Sequence, residues 1–100
     1  MGFYLLPKII ERKTTMEVYY IIAFDSTHHA ISAEKLLLEE GREFLIIPTP
    51  REITSSCGLS IRVGQGDIQA AMMSIREKNL SHHGIFRVES QGGQRKLTRI

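Results

Sequence analysis

The chain has one cysteine among its 100 residues, three prolines, no tryptophan and no long apolar run. A lone thiol closes no intrachain disulfide, and stapled secreted domains carry an even set, so a reducing, cytoplasmic setting is the expectation. The apolar Phe3-Tyr4-Leu5-Leu6 is interrupted by Pro7 and Lys8, and no small-residue cleavage site follows. It reads neither as a signal peptide nor as a span, and no other stretch approaches spanning length. A useful surplus of positive charge is missing too. The net charge is +2, but Lys8, Arg12 and Lys13 at one end and Arg95, Lys96 and Arg99 at the other carry the excess. Residues 16–90 hold 7 basic and 10 acidic side chains, an excess of acid that argues against phosphate neutralisation by the folded part. Neither nucleic acid nor a membrane is an expected partner.

What remains is ordinary globular composition, 42% hydrophobic and 24% charged. The length suits one domain. A chain this short buries a small share of its surface, so an interface with itself or a partner would add stability, and homo-oligomerisation enters as an expectation.

Glu17 to Phe24 is β-branched and aromatic on both alternating faces, as a central strand is. Asp25-Ser26 offers helix-capping oxygens, and Ala30, Ala33, Leu36 and Leu37 then recur at helical spacing up to Gly41. Phe44 to Ile47 stops at Pro48 and Pro50 and reads as an edge strand. Leu59-Ser60-Ile61-Arg62-Val63 alternates like a half-buried strand. Gly64 and Gly66 break it, Asp67 is placed to cap, and Ile68, Ala71, Met72 and Ile75 share one helical face ending near Asn79. Ile85-Phe86-Arg87-Val88 supplies a last strand.

This order, βαββαβ, predicts an α+β ferredoxin-like two-layer sandwich with a four-stranded antiparallel sheet. Residues 1–15 read as an N-terminal extension, 16–90 as the domain and 91–100 as a basic, flexible tail. The sheet face away from the helices would show Tyr19, Ile21 and Ala23 beside Ser60 and Arg62, apolar enough to need a cover. The extension, a second copy or a partner could each supply it.

The least ordinary stretch is Ile47-Pro48-Thr49-Pro50-Arg51 followed by Ser55-Ser56-Cys57-Gly58. Prolines stiffen its start, while Pro50, Ser55, Ser56 and Gly58 frame access to the Cys57 sulfur. A thiolate is the reactive form of cysteine, so the thiol's pKa has to be lowered by nearby cations or amide donors, and Arg51 is the nearest cation in sequence. The competing reading is a buried small hydrophobe ahead of a strand. The pairs His28-His29 and His82-His83 are zinc-ligand types, but adjacent histidines on a helix diverge by about 100°, and a helix-start pair and a turn pair exposed to solvent are the favoured reading. Val63-Gly64-Gln65-Gly66-Asp67 lacks the lysine and hydroxyl of a P-loop. No metal or cofactor is expected.

Phe24-Asp25-Ser26-Thr27-His28-His29-Ala30, the helix with Ala33-Glu34-Lys35-Leu36-Leu37, Ile47-Pro48-Thr49-Pro50-Arg51 and Ser56-Cys57-Gly58-Leu59 together resemble the selenium/sulfur carrier-like family over roughly Tyr19 to Ile75. The resemblance implies a cysteine that holds sulfur or selenium as a persulfide or selenosulfide and passes it on. Cys57 would be the acceptor, Arg51 its stabiliser, and donor and acceptor proteins the partners. Such a chain is a carrier with a reactive cysteine rather than a self-contained enzyme. A non-catalytic interaction or regulatory module assembling through its sheet face is the alternative.

Overall fold

A computed structural model describes residues 16–54 and 58–100. The chain order is β1 (Glu17–Ala23), α1 (Thr27–Glu39), β2 (Phe44–Pro48), β3 (Leu59–Gly64), α2 (Ile68–Glu77), β4 (Gly84–Gln91) and β5 (Gln94–Arg99). The strands form one antiparallel sheet in the order β2-β3-β1-β4-β5. No described helix is long and apolar enough to cross a membrane.

The four-stranded ferredoxin-like βαββαβ sandwich expected from the sequence is corrected by this arrangement: the order is βαββαββ and the sheet has five strands. The difference lies at Gly92-Gly93. Their φ values of 58° and 83° are the positive pair that a tight primed hairpin turn needs, and glycine reaches them without a Cβ clash. The chain therefore turns back, and Gln94–Arg99 pairs with β4 from Gln91↔Gln94 to Phe86↔Arg99. Residues expected to be a flexible tail form an edge strand, and β4 becomes interior.

The other elements lie where periodicity puts them. Ser26 has extended backbone, and its Oγ accepts the His28 N–H at 3.1 Å, which satisfies one open amide of α1. Gly41, at φ 73°, ends that helix. Asp67 behaves differently from expectation. Its side chain makes no capping bond to α2 and instead lies 3.8 Å from the Arg42 guanidinium.

Both helices pack on one face. Ile22, Phe24, Ala30, Ala33, Leu37, Ile61, Val63, Ala71 and Ile75 are buried there, and each large aliphatic side chain contributes about 1.5–3 kcal/mol by leaving water. The hydroxyl of Ser74 on α2 donates to the Glu40 carboxylate at the end of α1, 2.7 Å away, which ties the helices together without leaving a buried polar group unmet.

The opposite face holds a second cluster, with Tyr19, Ile21 and Val88 buried. Its cover comes in part from inside the chain, because Ile53, in the connection between β2 and β3, packs on it together with Ile47 and Leu97. The Arg62 guanidinium lies 3.7 Å from the Tyr19 ring centroid and reaches Glu17 at 3.1 Å, so the rim of this cluster is charged. The extension at residues 1–15 lies outside the described residues.

Candidate functional site

The connection from β2 to β3 is closed at its neck. Thr49 donates its N–H to the Gly58 carbonyl at 3.0 Å, and the Thr49 and Ser60 hydroxyls are 2.7 Å apart. Ser60 is fully buried, so its hydroxyl needs that partner. The loop's two ends are thus pinned together where they join their strands.

Between the pinned ends the chain folds on itself. The Pro50 carbonyl accepts the N–H groups of Ile53 at 3.0 Å and Thr54 at 3.3 Å, forming one turn of helix-like backbone. Proline suits that start because its φ is preset and its missing N–H costs nothing there. The turn exposes Arg51 and Glu52 and directs Ile53 onto Tyr19, Ile21 and Val88.

Glu52 extends the same turn across the sheet. Its carboxylate accepts from Arg95 on β5 at 2.8 and 3.1 Å. The loop springs from β2 at one edge of the sheet and β5 is the other edge, about 19 Å away at the usual strand spacing. The loop therefore straps the face away from the helices. Glu52's own backbone amide, and then the Arg95 hydrogen bond, hold its carboxyl below the ordinary range, while the hydrogen bond to Glu52 leads in raising the Arg95 guanidinium.

Of the residues singled out from the sequence, Pro50 starts the turn, Arg51 is exposed on it and Gly58 closes the neck. Arg51 forms no ion pair with another described residue. A Cβ on Gly58 would lie 3.4 Å from the Phe24 carbonyl oxygen and 3.5 Å from Thr49 Oγ1, in ordinary contact, so the neck sits against the end of β1. Ser55, Ser56 and Cys57 lie outside the described residues.

Sequence reasoning missed Thr49, Glu52, Ile53, Ser60 and Arg95. The first four look like common loop and strand residues, and their roles arise only from tertiary closure. Arg95 carried a signal: Gly92-Gly93 followed by the alternating Gln94-Arg95-Lys96-Leu97-Thr98-Arg99 is a hairpin pattern.

The histidine pairs do not converge into a chelating set. His28 and His29 rings are 5.7 Å apart and tilted by 54°, and His83 Nδ1 is 3.2 Å from an Asp25 carboxylate oxygen. Among the described residues there is no group of three or more His, Cys, Asp or Glu side chains able to hold a metal ion.

Comparison with known proteins adds one finding. A family model described as "Putative Se/S carrier protein-like" matches residues 19–87, from β1 into β4, and so takes in the whole strap loop. No curated protein and no solved structure matches the chain.

Proposed function

The chain belongs to the Se/S carrier protein-like family, and from that premise we propose that Cys57 holds sulfur or selenium as a persulfide or selenosulfide and passes it to a partner protein. The observation that carries the reading is the pinned neck: the single thiol of the chain is one residue from Gly58, whose carbonyl is fixed by Thr49. A carrier has to present its sulfur to two partners in turn. The fixed Gly58 next to the cysteine in sequence supports such a role, and the two residues before Cys57, Ser55 and Ser56, are small.

The chemistry needs a thiolate. Gly58 adjoins Phe24, just ahead of the capped start of α1, whose first turn carries no acidic residue, and the Asp25 carboxylate that intervenes is engaged by His83 Nδ1 at 3.2 Å. Helix-start amides favour negative charge, and Arg51, which engages no described carboxylate, supplies a cation from the same loop.

In the loading step the Cys57 thiolate attacks the outer sulfur of a donor persulfide. A new S–S bond forms on Cys57, the donor's S–S bond breaks, and the donor leaves as a thiolate. No outside oxidant or reductant is consumed. Unloading repeats the exchange with the acceptor as nucleophile, and selenium follows the same route through a selenosulfide.

The test is intact-mass measurement after incubation with a cysteine desulfurase and cysteine. One added sulfur per chain, absent from Cys57→Ala, is expected, and Arg51→Gln should slow loading at neutral pH more than Arg51→Lys does. Equal labelling of Cys57→Ala, or no labelling of the wild type, would refute the proposal.

A further inference from the structure

The two edges of the sheet differ in kind. Outer strand β5 carries Arg95, Lys96 and Arg99, all exposed, and charge on an edge discourages pairing with another chain. Outer strand β2 reads Phe44-Leu45-Ile46-Ile47-Pro48, with no charge at all. Leu45 is 59% exposed and Ile46 36%, and Leu38 of α1, 62% exposed, lines the same open groove of about 800 Å³ with Phe44, Leu45 and Ile46. Among the described residues nothing on this edge blunts it except Pro48 at its end.

The hydrogen-bond register says which backbone groups that edge offers. Thr49 donates to Gly58, so alternate residues Ile47 and Leu45 also bond to β3, opposite Ser60 and Arg62. The N–H groups of Phe44 and Ile46 and the carbonyls of Phe44, Ile46 and Pro48 therefore point away from the sheet. Pro48 stands where its missing N–H would have faced outward, the position an edge proline tolerates.

We propose that β2 is a self-association edge, pairing antiparallel with β2 of a second copy about a two-fold axis at Ile46. In that register Ile46 exchanges both backbone bonds with the partner's Ile46, and the Phe44 N–H meets the partner's Pro48 carbonyl. The two sheets become continuous.

The side chains fit this occupant. Leu45 falls directly opposite the partner's Ile47, and Ile46 meets its own counterpart, so apolar meets apolar on both faces. Glu43 falls opposite the partner's Thr49, two residues from the partner's Arg51, and symmetry repeats the contact at the other end. Glu43 and Arg51 are both exposed, and neither forms an ion pair with another described residue, so their charges complement each other across the axis. A slip by two residues that sets Phe44 against the partner's Ile46 would put Glu43 on the partner's Ile47, and the opposite slip leaves the outward carbonyls of both Phe44 and Ile46 facing proline nitrogens that have no hydrogen to donate. The pairing is thus specified by sequence as well as by exposure.

Sedimentation equilibrium of the full chain over roughly a hundredfold range of concentration, combined with residue-level hydrogen exchange, tests this. The mass should rise from monomer to dimer as the Phe44 and Ile46 amides become protected, while the Leu45 and Ile47 amides, already bonded to β3, stay unchanged. Ile46→Lys, and independently the more exposed Leu45→Lys, should weaken association by about tenfold or more. Glu43→Arg or Arg51→Glu alone should weaken it, and the double exchange should restore it. A monomer at every concentration overturns the proposal, with slow Phe44 and Ile46 exchange then showing that another segment of the chain covers the edge. A dimer indifferent to all of these substitutions overturns it as well, by locating the interface elsewhere.

Discussion

Arg95 donates to both carboxylate oxygens of Glu52, at 2.8 and 3.1 Å, although one residue lies in the loop leaving β2 and the other on β5 at the far edge of the sheet. The pair fixes the direction of the strap loop, and the burial of Tyr19, Ile21 and Val88 beneath Ile53 gives that direction an apolar anchor.

The Glu52 carboxyl, held low first by its own backbone amide and then by Arg95, makes stability depend on pH in a predictable direction. The Glu52 carboxyl titrates below its ordinary range in the folded chain, so its contribution is complete above that range and is lost as pH falls through the ordinary value toward the lowered one. Thermal melts from roughly pH 6 to pH 3 should show a loss that is smaller in Glu52→Gln and Arg95→Ala. Both variants should also speed hydrogen exchange at the Ile53 and Thr54 amides, which bond to Pro50. Unchanged exchange there would show that Ile53 alone holds the loop.

The neck tests differently, because its hydroxyl pair is partly buried. Thr49→Val leaves the buried Ser60 hydroxyl without its partner and should cost about 1–3 kcal/mol, whereas replacing both residues with apolar ones should recover part of that loss. Chemical denaturation of the single and double variants measures the coupling. A Thr49→Val variant as stable as the wild type would mean that the backbone bond to Gly58 suffices.

The hairpin that adds β5 rests on two glycines with positive φ. Gly93→Ala at φ 83° should destabilise by about 1–2 kcal/mol and raise exchange selectively along Gln94–Arg99. Because Arg95 rides on β5, the same variant should loosen the Glu52 turn. Loss confined to the hairpin, with the turn unaffected, would separate the two.

Much of this architecture was legible in the residues themselves. The β-branched run at Glu17–Ala23, the Ser26 cap with its Ala30, Ala33 and Leu37 stripe, and the alternation in β3 each point to one local structure, and each forms it. The fifth strand was misread because a basic, glycine-preceded segment resembles a tail when its composition outweighs its alternation. The strap was illegible for another reason. Ile53 and Glu52 show nothing of their partners in sequence, since a loop's path over a sheet is set by contacts with residues some forty positions away. For the candidate site, the stretch Pro50–Gly58 stood out by composition, and its pinned neck came only with the fold.

The central claim, that Cys57 is a chalcogen carrier, is tested most directly by a pulse and chase on the peptide that contains it. The full chain is loaded from a protein persulfide or selenosulfide donor, digested and weighed before and after a thiol acceptor is added. The account predicts one sulfur or selenium atom on the Cys57 peptide, released to the acceptor during the chase. A Cys57 peptide that never gains the atom, or that gains it and does not give it up, would contradict it.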